Sequence, residues 1–204
     1  MIVIIDYGLG NLGSLQNMLK RIGEETVISS DKNTILSASK LILPGVGTFD
    51  TGMKNLRTSG LIEILNEAVV IQHKPILGIC LGAQLMLNES EEGTEKGLTW
   101  MDGKVVLFNQ NGTSIKVPHM GWNNLKYNHS NPLFVDMPEN PPRFYFVHKY
   151  HFSFAETNYI TSTCQYGYEF PASYQKNNIY GVQFHPEKSH QFGIRLLKNF
   201  ITIK

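Results

Sequence analysis

Short apolar runs alternate with amphipathic segments over the first ninety residues of this 204-residue chain. The first run, residues 2–6, is apolar up to its closing aspartate, which is typical of a strand buried on both faces. A helix is predicted next, capped by Ser14 and ended by Gly23. Further strands are predicted at 26–28, 40–43 and 75–79, and helices at 61–71 and 81–88. Strands separated by helices favour right-handed βαβ units and a parallel sheet.

The second half of the chain has a different pattern, in which strand-like segments follow one another through loops rich in Asn, Pro and Gly. Strands are predicted at 104–108, 143–147, 160–165 and 179–184, and a closing helix at about 191–200. The sequence therefore predicts an α/β fold in a single domain over residues 1–204. Its mainly parallel central sheet is flanked by helices and carries an additional antiparallel section.

Composition narrows the classes of function. The formal net charge is +1 and no basic block stands out, so nucleic acid is a poor candidate partner. Only Cys80 and Cys164 occur, which predicts no disulfide framework and favours a reducing compartment. The start of the chain lacks the basic residues of a signal peptide, and no apolar run reaches the roughly 18 residues of a membrane helix. We therefore expect a soluble, cytoplasmic protein with no membrane partner.

Cys80 lies between glycines where an apolar run gives way to a helical pattern. Gly78 and Gly82 permit a tight strand-to-helix turn that would place the thiol at a helix N-terminus. That position stabilises a thiolate, and the backbone N–H of Leu81 would point towards an oxyanion formed on an attacked carbonyl. The alternative is that Cys80 is a small buried apolar side chain, the commonest fate of a lone cysteine.

A second motif, His185-Pro186-Glu187, lies more than a hundred residues further on. The proline stiffens the turn, and the spacing lets Glu187 fold back to orient the imidazole of His185. Taken alone, His185 could be a histidine at a strand end that bonds to a backbone carbonyl. Together with Cys80 it completes a predicted Cys-His-Glu triad, which can attack a carbonyl through a thioester.

A third motif, residues 43–47, follows a predicted strand and contains Gly45 and Gly47. Flexible glycine N–H groups suit an oxyanion hole or a substrate cradle, and the predicted oxyanion hole comprises Val46 and Leu81. The alternative interpretation of this segment is an ordinary turn between a strand and a helix.

These motifs together resemble a known family. Pro-Gly-Val-Gly (44–47), Gly-Ile-Cys-Leu-Gly-Ala-Gln (78–84) and Phe-His-Pro-Glu (184–187) resemble the class I, or triad, glutamine amidotransferases. The resemblance implies that Cys80 attacks the side-chain amide of glutamine, that His185 moves the proton to ammonia, and that water hydrolyses the thioester. It implies no cofactor and no metal. It also implies that the substrate glutamine is bound by Gly47, Gln84, Lys149 and Tyr150.

Three more stretches narrow the resemblance. Asp-Tyr-Gly-Leu-Gly-Asn-Leu (6–12), Pro-His-Met-Gly-Trp-Asn (118–123) and Phe-Tyr-Phe-Val-His (144–148) are similar to the glutaminase subunits of imidazole glycerol phosphate synthase, an enzyme of histidine biosynthesis. The resemblance implies a heterodimer with a (β/α)8-barrel cyclase that receives the ammonia. The residues that it implies at that interface are Asn11, Trp122, Tyr145 and Lys188.

One position departs from the family pattern. Lys149 stands where the family usually carries a small hydroxyl residue, between His148 and Tyr150. A paralogue that supplies ammonia to another barrel synthase, such as one that amidates a sugar, is therefore an alternative.

Two further patterns in the sequence suggest other classes of function. Gly8, Gly10 and Gly13 match the dinucleotide-binding pattern G-x-G-x-x-G, with Asp31 near the end of the next strand. Asp31 is better interpreted as a helix cap, and an NAD(P)-binding oxidoreductase would leave Cys80 unexplained. His148 and His151 have the spacing H-x-x-H of some metal sites. On one continuous strand they would point to opposite faces, so no metal is expected.

Overall fold

The computed structural model describes residues 1–110, 112 and 114–203, so Asn111, Thr113 and Lys204, the last residue of the predicted domain, lie outside the described residues. The helices are α1 (Leu12–Arg21), α2 (Lys32–Ser37), α3 (Phe49–Thr58), α4 (Leu61–Asn66), α5 (Leu81–Leu85) and α6 (His190–Thr202). The strands are β1 (Ile2–Ile5), β2 (Thr26–Ser29), β3 (Lys40–Leu43), β4 (Ile76–Ile79), β5 (Glu89–Ser90), β6 (Lys104–Leu107), β7 (His119–Tyr127), β8 (Arg143–His148), β9 (Tyr150–Ser153), β10 (Ile160–Tyr166), β11 (Tyr168–Lys176) and β12 (Ile179–Val182). No helix in this described part is long and apolar enough to cross a membrane.

The described strands form one large sheet and one small sheet. The large sheet has nine strands in the order β2-β1-β3-β4-β12-β11-β10-β7-β8. Neighbours from β2 to β12 are parallel, and neighbours from β12 to β8 are antiparallel. The small sheet joins β5, β6 and β9. The predicted α/β fold class is confirmed, and the antiparallel section continues the same sheet. That one domain spans residues 1–204 stays a prediction.

Both faces of the parallel half are covered by helices, which explains its continuous apolar strands. In β1, Val3 and Ile5 pack in one apolar cluster with residues of α2 to α5. Ile2 and Ile4 pack in a second cluster with residues of α1 and α6. Because successive strand residues point to opposite faces, one four-residue strand contributes to both layers. The carboxyl ends of these parallel strands form the edge at which β4 passes into α5.

Several local predictions need correction. Helix α1 starts earlier than expected, and its N-cap is Asn11, whose side chain accepts a hydrogen bond from the N–H of Ser14. Ser14 is thus inside the helix, and the predicted cap is wrong. The helix predicted at 61–71 is α-helical only as far as Asn66 and continues as a π-helix over Glu67–Ile71. The prediction that Asp31 caps a helix is confirmed, because it accepts the N–H of Thr34 at 2.8 Å.

Candidate active site

The turn between β4 and α5 holds Cys80 in a strained backbone conformation. Its φ is +52° and its ψ is −112°, a combination that L-residues seldom adopt. The conformation is fixed on one side by β12, since the N–H of Cys80 donates to the carbonyl of Val182 at 2.8 Å. On the other side it is fixed by the first turn of α5, where the carbonyl of Cys80 accepts the N–H of Gln84. This strand-turn-helix geometry presents the side chain of Cys80 at the sheet edge.

Two glycines make the turn possible by allowing close backbone approach. A Cβ on Gly78 would lie 2.7 Å from the Cα of Ala83, within α5. A Cβ on Gly82 would overlap the backbone carbonyl of Leu43 at the end of β3. Neither obstacle is the end of a flexible side chain, so neither can move aside. The sequence pattern Gly-x-Cys-x-Gly is therefore a packing requirement of this turn.

Replacing Gly82 by alanine is expected to lower the free energy of unfolding by about 3 kcal/mol, because the new methyl group must displace main chain. Gly13 is the matched control, since a Cβ there has no heavy atom within 4 Å and the residue lies in helix α1. Gly13→Ala is expected to leave stability unchanged or raise it slightly. Urea unfolding midpoints of the two variants measure the difference. Equal midpoints would contradict this account of the turn.

His185 and Glu187 lie just beyond the end of β12, beside Cys80. The N–H of His185 donates to the carbonyl of Tyr145 at 2.9 Å, and Pro186–Lys188 form a single 3₁₀ turn. That turn folds the carboxylate of Glu187 back so that its Oε1 lies 2.8 Å from Nδ1 of His185. Both side chains are buried, at 2% and 5% exposure. Nε2 of His185 has no hydrogen-bond partner of good geometry among the described residues, so it is available for proton transfer.

The charge state of His185 depends on its neighbours. Burial by itself lowers the pKa of the imidazole, but a negative charge on Cys80 and then the Glu187 carboxylate outweigh that effect and raise the pKa to about 10. The raised pKa favours a cationic His185 at neutral pH when Cys80 carries a negative charge. An imidazolium can donate a proton to a leaving group at once.

Removing the thiol is expected to lower the pKa of His185. In Cys80→Ala the burial remains and the largest charge that favours the imidazolium is lost, so the pKa falls below its value of about 10 in the parent chain. Titration of the ring resonances by NMR between pH 5 and pH 11 measures both values. A His185 pKa that does not change in the variant would show that Cys80 does not set the charge state.

A cavity of about 380 Å³ opens beside Cys80 and His185. Eight of the predicted site residues line it, namely Val46, Gly47, Cys80, Leu81, Gln84, Lys149, Tyr150 and His185. Glu187 does not line the cavity and lies behind His185, bonded to it. The structure thus brings together residues from four separate segments of the chain at one end of the parallel sheet.

The loop over residues 44–47 packs directly on the N-terminus of α5. A Cβ on Gly45 would lie 2.9 Å from the backbone nitrogen of Gly82 and would also overlap the hydroxyl of Tyr7. That hydroxyl is buried and donates to the carbonyl of Pro44 at 2.8 Å. Burial, and secondly the charge at Cys80, raise the pKa of Tyr7, so the hydroxyl keeps the proton with which it holds the loop. The loop that contains Val46 is therefore anchored next to Leu81.

Two residues that sequence reasoning missed also belong to the site. Gln183 is fully buried, and its Oε1 accepts Nε2 of Gln84 at 3.0 Å while its own Nε2 lies 3.7 Å from Sγ of Cys80. Its position directly before the Phe-His-Pro-Glu motif was the available signal. Glu92 lines the cavity and accepts the N–H of Phe49 at 2.8 Å. Glu92 lies in an acidic loop outside every motif of the sequence analysis, so no sequence signal pointed to it.

The predicted interface residues lie beside the site. The Trp122 and Tyr145 rings are 6.2 Å apart, and Nζ of Lys188 lies 5.7 Å from the centre of the Tyr145 ring. Trp122 is 43% exposed although it is a large apolar side chain. Asn11 is exposed at the start of α1, which lies next to the turn Pro186–Lys188. Lys188 thus belongs to the turn that carries Glu187, Tyr145 packs against that turn, and Trp122 lies beside Tyr145.

His148 and His151 do not point to opposite faces of one strand, so that prediction is wrong. The chain does not continue as one strand, because β8 ends at His148 and β9 begins at Tyr150. Both imidazoles therefore lie on one side, with ring centres 5.2 and 4.7 Å from that of Phe108. No group of three or more His, Cys, Asp or Glu side chains able to hold a metal occurs among the described residues. Asp31, required by the dinucleotide hypothesis, is engaged as the cap of α2.

Comparison with known proteins identifies close relatives over the whole length. Residues 3–203 match the family described as glutamine amidotransferase class-I. The chain is 52% identical to imidazole glycerol phosphate synthase subunit HisH 2 of Methanococcus maripaludis, with 98% of each chain covered. It is 48% identical to the HisH 2 subunit of Pseudomonas aeruginosa, with both chains fully covered.

Solved structures agree with the fold. A crystal structure of a glutamine amidotransferase superposes with a TM-score of 0.76 at 20% identity, covering 98% of this chain and 97% of the other. A glutamine amidotransferase of Thermotoga maritima gives a TM-score of 0.63 at 18% identity, covering 98% and 81%. With a strained cysteine turn, a buried histidine–carboxylate pair and full-length relatives above 40% identity, this chain belongs to the class-I glutamine amidotransferase family.

Proposed function

We propose that this protein is the glutaminase subunit of an imidazole glycerol phosphate synthase. It hydrolyses glutamine to glutamate and passes ammonia to a (β/α)8-barrel cyclase in histidine biosynthesis. The observation that carries the proposal is the buried Cys80–His185–Glu187 constellation beside a cavity, in a chain 41–52% identical over its full length to subunits named HisH. A cytoplasmic location stays a prediction.

The reaction follows from the charges of the site. The Cys80 thiolate attacks the side-chain carbonyl carbon of glutamine, and the carbonyl oxygen becomes an oxyanion. The imidazolium of His185 donates its Nε2 proton to the departing nitrogen, so the C–N bond breaks and ammonia leaves. The now neutral His185 takes a proton from water, whose oxygen attacks the thioester and displaces Cys80 as a thiolate, leaving glutamate. Glu187 holds Nδ1 throughout and does not accept the proton.

The oxyanion is stabilised by backbone donors. Leu81 is the first residue of α5, and its N–H points out of the helix N-terminus, where no carbonyl of the helix can accept it. The N–H of Val46 is the second proposed donor, from the loop that Tyr7 anchors. Removal of one such donor costs roughly a hundredfold to a thousandfold in kcat in related chemistry, so we expect this loop to contribute substantially to catalysis.

Substrate binding uses main chain and buried amides. Gly47, Gln84, Lys149 and Tyr150 are proposed to hold the glutamine, with the carboxylate of Glu92 on the cavity wall to attract its amino group. Lys149 is exposed, and its carbonyl accepts the N–H of Phe108 at 3.2 Å. Because the hydrogen bond to Phe108 fixes the backbone of Lys149 and its side chain points into solvent, a lysine can replace a small hydroxyl residue here.

The partner is proposed to cover the surface around Asn11, Trp122, Tyr145 and Lys188. Met120, 61% exposed, and Trp122 add apolar area to it. Since the turn with Glu187 lies within this surface, docking of the cyclase would act directly on the orientation of His185. We therefore expect the isolated chain to hydrolyse glutamine slowly.

Co-expression with the barrel cyclase of the same cell tests the proposal. Glutamate release from glutamine is expected to be slow for the chain alone and to rise in the complex when the substrate of the cyclase is added. Ammonia produced in the complex should appear in the cyclase product. A high rate that is indifferent to the cyclase would contradict the coupled synthase.

A second outlet for the ammonia is favoured by one comparison. Methanococcus maripaludis has two relatives of this chain, which is 52% identical to the subunit named HisH 2 and 46% identical to the subunit named HisH 1. An organism with two such subunits can dedicate one of them to another barrel synthase, for example one that amidates a sugar. Purification of the native complex and identification of its second subunit distinguish the two outlets. The histidine pathway would be rejected if that subunit were a different synthase.

A further inference from the structure

A buried row of hydrogen-bonding side chains leads from strand β7 to the wall of the cavity. His119 in β7 and His148 in β8 stand directly opposite each other in the sheet, and Nδ1 of His119 lies 3.0 Å from Nε2 of His148. Nδ1 of His148 lies 2.8 Å from the carbonyl oxygen of Tyr150. At the other end, Nδ2 of Asn123 lies 3.4 Å from Nε2 of His119. The proposed mechanism uses neither of the two imidazoles.

The inner end of the row fixes its direction. A carbonyl oxygen can only accept, so Nδ1 of His148 must carry the proton that it shares with Tyr150. In a neutral imidazole the other nitrogen is then an acceptor, so Nε2 of His148 must accept a hydrogen bond from the N–H at Nδ1 of His119. His119 is thereby left with Nε2 as an acceptor.

The outer end independently requires the same direction. The amide of Asn123 is oriented by backbone groups on both sides, because its Oδ1 accepts the N–H of Asn124 at 2.9 Å and its Nδ2 donates to the carbonyl of Gln165 at 3.0 Å. The atom turned towards His119 is therefore a donor, and Nε2 of His119 accepts. The Tyr150 carbonyl and the Asn123 amide therefore require the same direction of hydrogen bonding, and only one arrangement of protons on the two imidazoles satisfies both.

The environment keeps both rings neutral. Burial lowers the pKa of His119 to about 4. For His148, burial is the largest cause of a lowered pKa, and positive charge on His119, His151 or His185 lowers it further. A positive charge on His185 therefore favours the neutral form of His148, and a neutral His148 avoids repulsion with a cationic His185.

The carbonyl at the end of the row also holds Gln84. Nε2 of Gln84 donates to the carbonyl of Tyr150 at 3.1 Å and to Oε1 of Gln183 at 3.0 Å. Both amide hydrogens are thus used, so Gln84 meets a substrate only as an acceptor, through Oε1. The position of the Tyr150 carbonyl sets the position of this acceptor.

We propose that His119 and His148 are positioning residues that form a neutral, directional hydrogen-bond relay from Asn123 to the Tyr150 carbonyl. The relay sets the glutamine-binding wall formed by Tyr150 and Gln84. Its outer residue, Asn123, directly follows Trp122 in β7 and points to the other face of the sheet. A shift of β7 on docking at Trp122 would therefore move the relay and change the wall without any contact to substrate. This inference rests on the proposed function.

The protonation pattern gives a direct test. Long-range ¹⁵N–¹H NMR of the full chain is expected to show His119 and His148 both protonated at Nδ1. A proton on Nε2 of either ring would overturn the relay. This result does not depend on glutamine hydrolysis. If neither the chain nor its complex hydrolysed glutamine, the proposed function would be rejected. The protonation of the two rings would still show whether the hydrogen bonds of the relay run in the proposed direction.

Variants of the complex test the consequence. His119→Phe keeps the stacking on Tyr166, 4.0 Å away between ring centres, but removes the donor to His148. It is expected to raise the KM for glutamine about tenfold with kcat changed less than twofold, as loss of one buried hydrogen bond predicts. His119→Asn places an amide donor near the site of Nδ1 and is expected to restore most of the affinity.

His151→Phe is the matched control. His151 is as buried as His148 and packs on the same Phe108 ring, but it bonds to the carbonyl of Phe152 and the hydroxyl of Tyr168, away from the cavity. Its KM is expected to stay within twofold of the parent value. An unchanged KM in His119→Phe, or an equal rise in His151→Phe, would reject the relay in favour of general packing.

Discussion

Replacing Cys80 by alanine is expected to abolish glutamine hydrolysis, with a fall in kcat on the order of 10⁴-fold or more, because no other group of the cavity can form the thioester. Alanine retains the Cβ and tolerates the strained backbone no worse than cysteine does. The fold and the cyclase surface should therefore survive. Glutamate release measures the loss, and co-purification with the cyclase measures the surface. A variant that releases glutamate at the parental rate would show that Cys80 is not the nucleophile.

Cys164 supplies the control for that experiment. It is buried in β10 away from the cavity, and burial raises the pKa of its thiol to about 12, so it stays protonated and unreactive. Cys164→Ala is expected to keep kcat within twofold and to lose about 1 kcal/mol of stability. Mass spectrometry after brief treatment with iodoacetamide should find the label on Cys80. Labelling of Cys164 at a similar rate would contradict the difference between the two environments.

Replacing Glu187 by glutamine is expected to lower kcat roughly a thousandfold while the KM for glutamine changes little. The carboxylate is buried and bonded to Nδ1 of His185 at 2.8 Å, so its charge stabilises the imidazolium and its position fixes the ring. An amide of the same shape keeps the packing but loses the charge. Single-turnover release of ammonia separates this chemical step from binding.

Glu169→Gln is the matched substitution elsewhere. Glu169 pairs with Lys126 at 2.8 Å on the surface, where such pairs contribute little. Its kcat is expected to equal the parental value. If the kcat of Glu187→Gln were as high as that of Glu169→Gln, the carboxylate would have no part in the triad. His185 would then be oriented only by the hydrogen bond of its backbone to Tyr145.

The strongest sequence signals concerned the parallel half of the fold. Strands such as β3 were predicted to the residue, because burial on both faces requires a continuous apolar run that a turn interrupts sharply. Strand β7 was missed. Its residues alternate between buried and exposed and include Gly121, Trp122 and two asparagines, a composition that suggests a turn. Only its pairing with β8 and β10 makes it a strand.

The candidate site divides in the same way. Cys80, His185 and Glu187 were predicted as the triad because each sits in a short motif whose chemistry is local. Gln183, Glu92 and His119 were not assigned, since their relevance comes from partners that are distant in the chain. The orientation of His148 and His151 was predicted wrongly, because a break at Lys149 divides the segment into two strands.

By itself the sequence determined the α/β class, the cysteine turn and the histidine–carboxylate turn, because apolar periodicity and glycine spacing act over a few residues. The tertiary structure decided how these turns meet. It set the charge of His185 through a thiol about a hundred positions away, and it gave His119 and His148 a single direction of hydrogen bonding. The charge and the hydrogen-bond direction both depend on burial and on contacts across the sheet. A low dielectric strengthens electrostatic interactions there, and the contacting residues are too far apart in the chain for a local sequence pattern to reveal them.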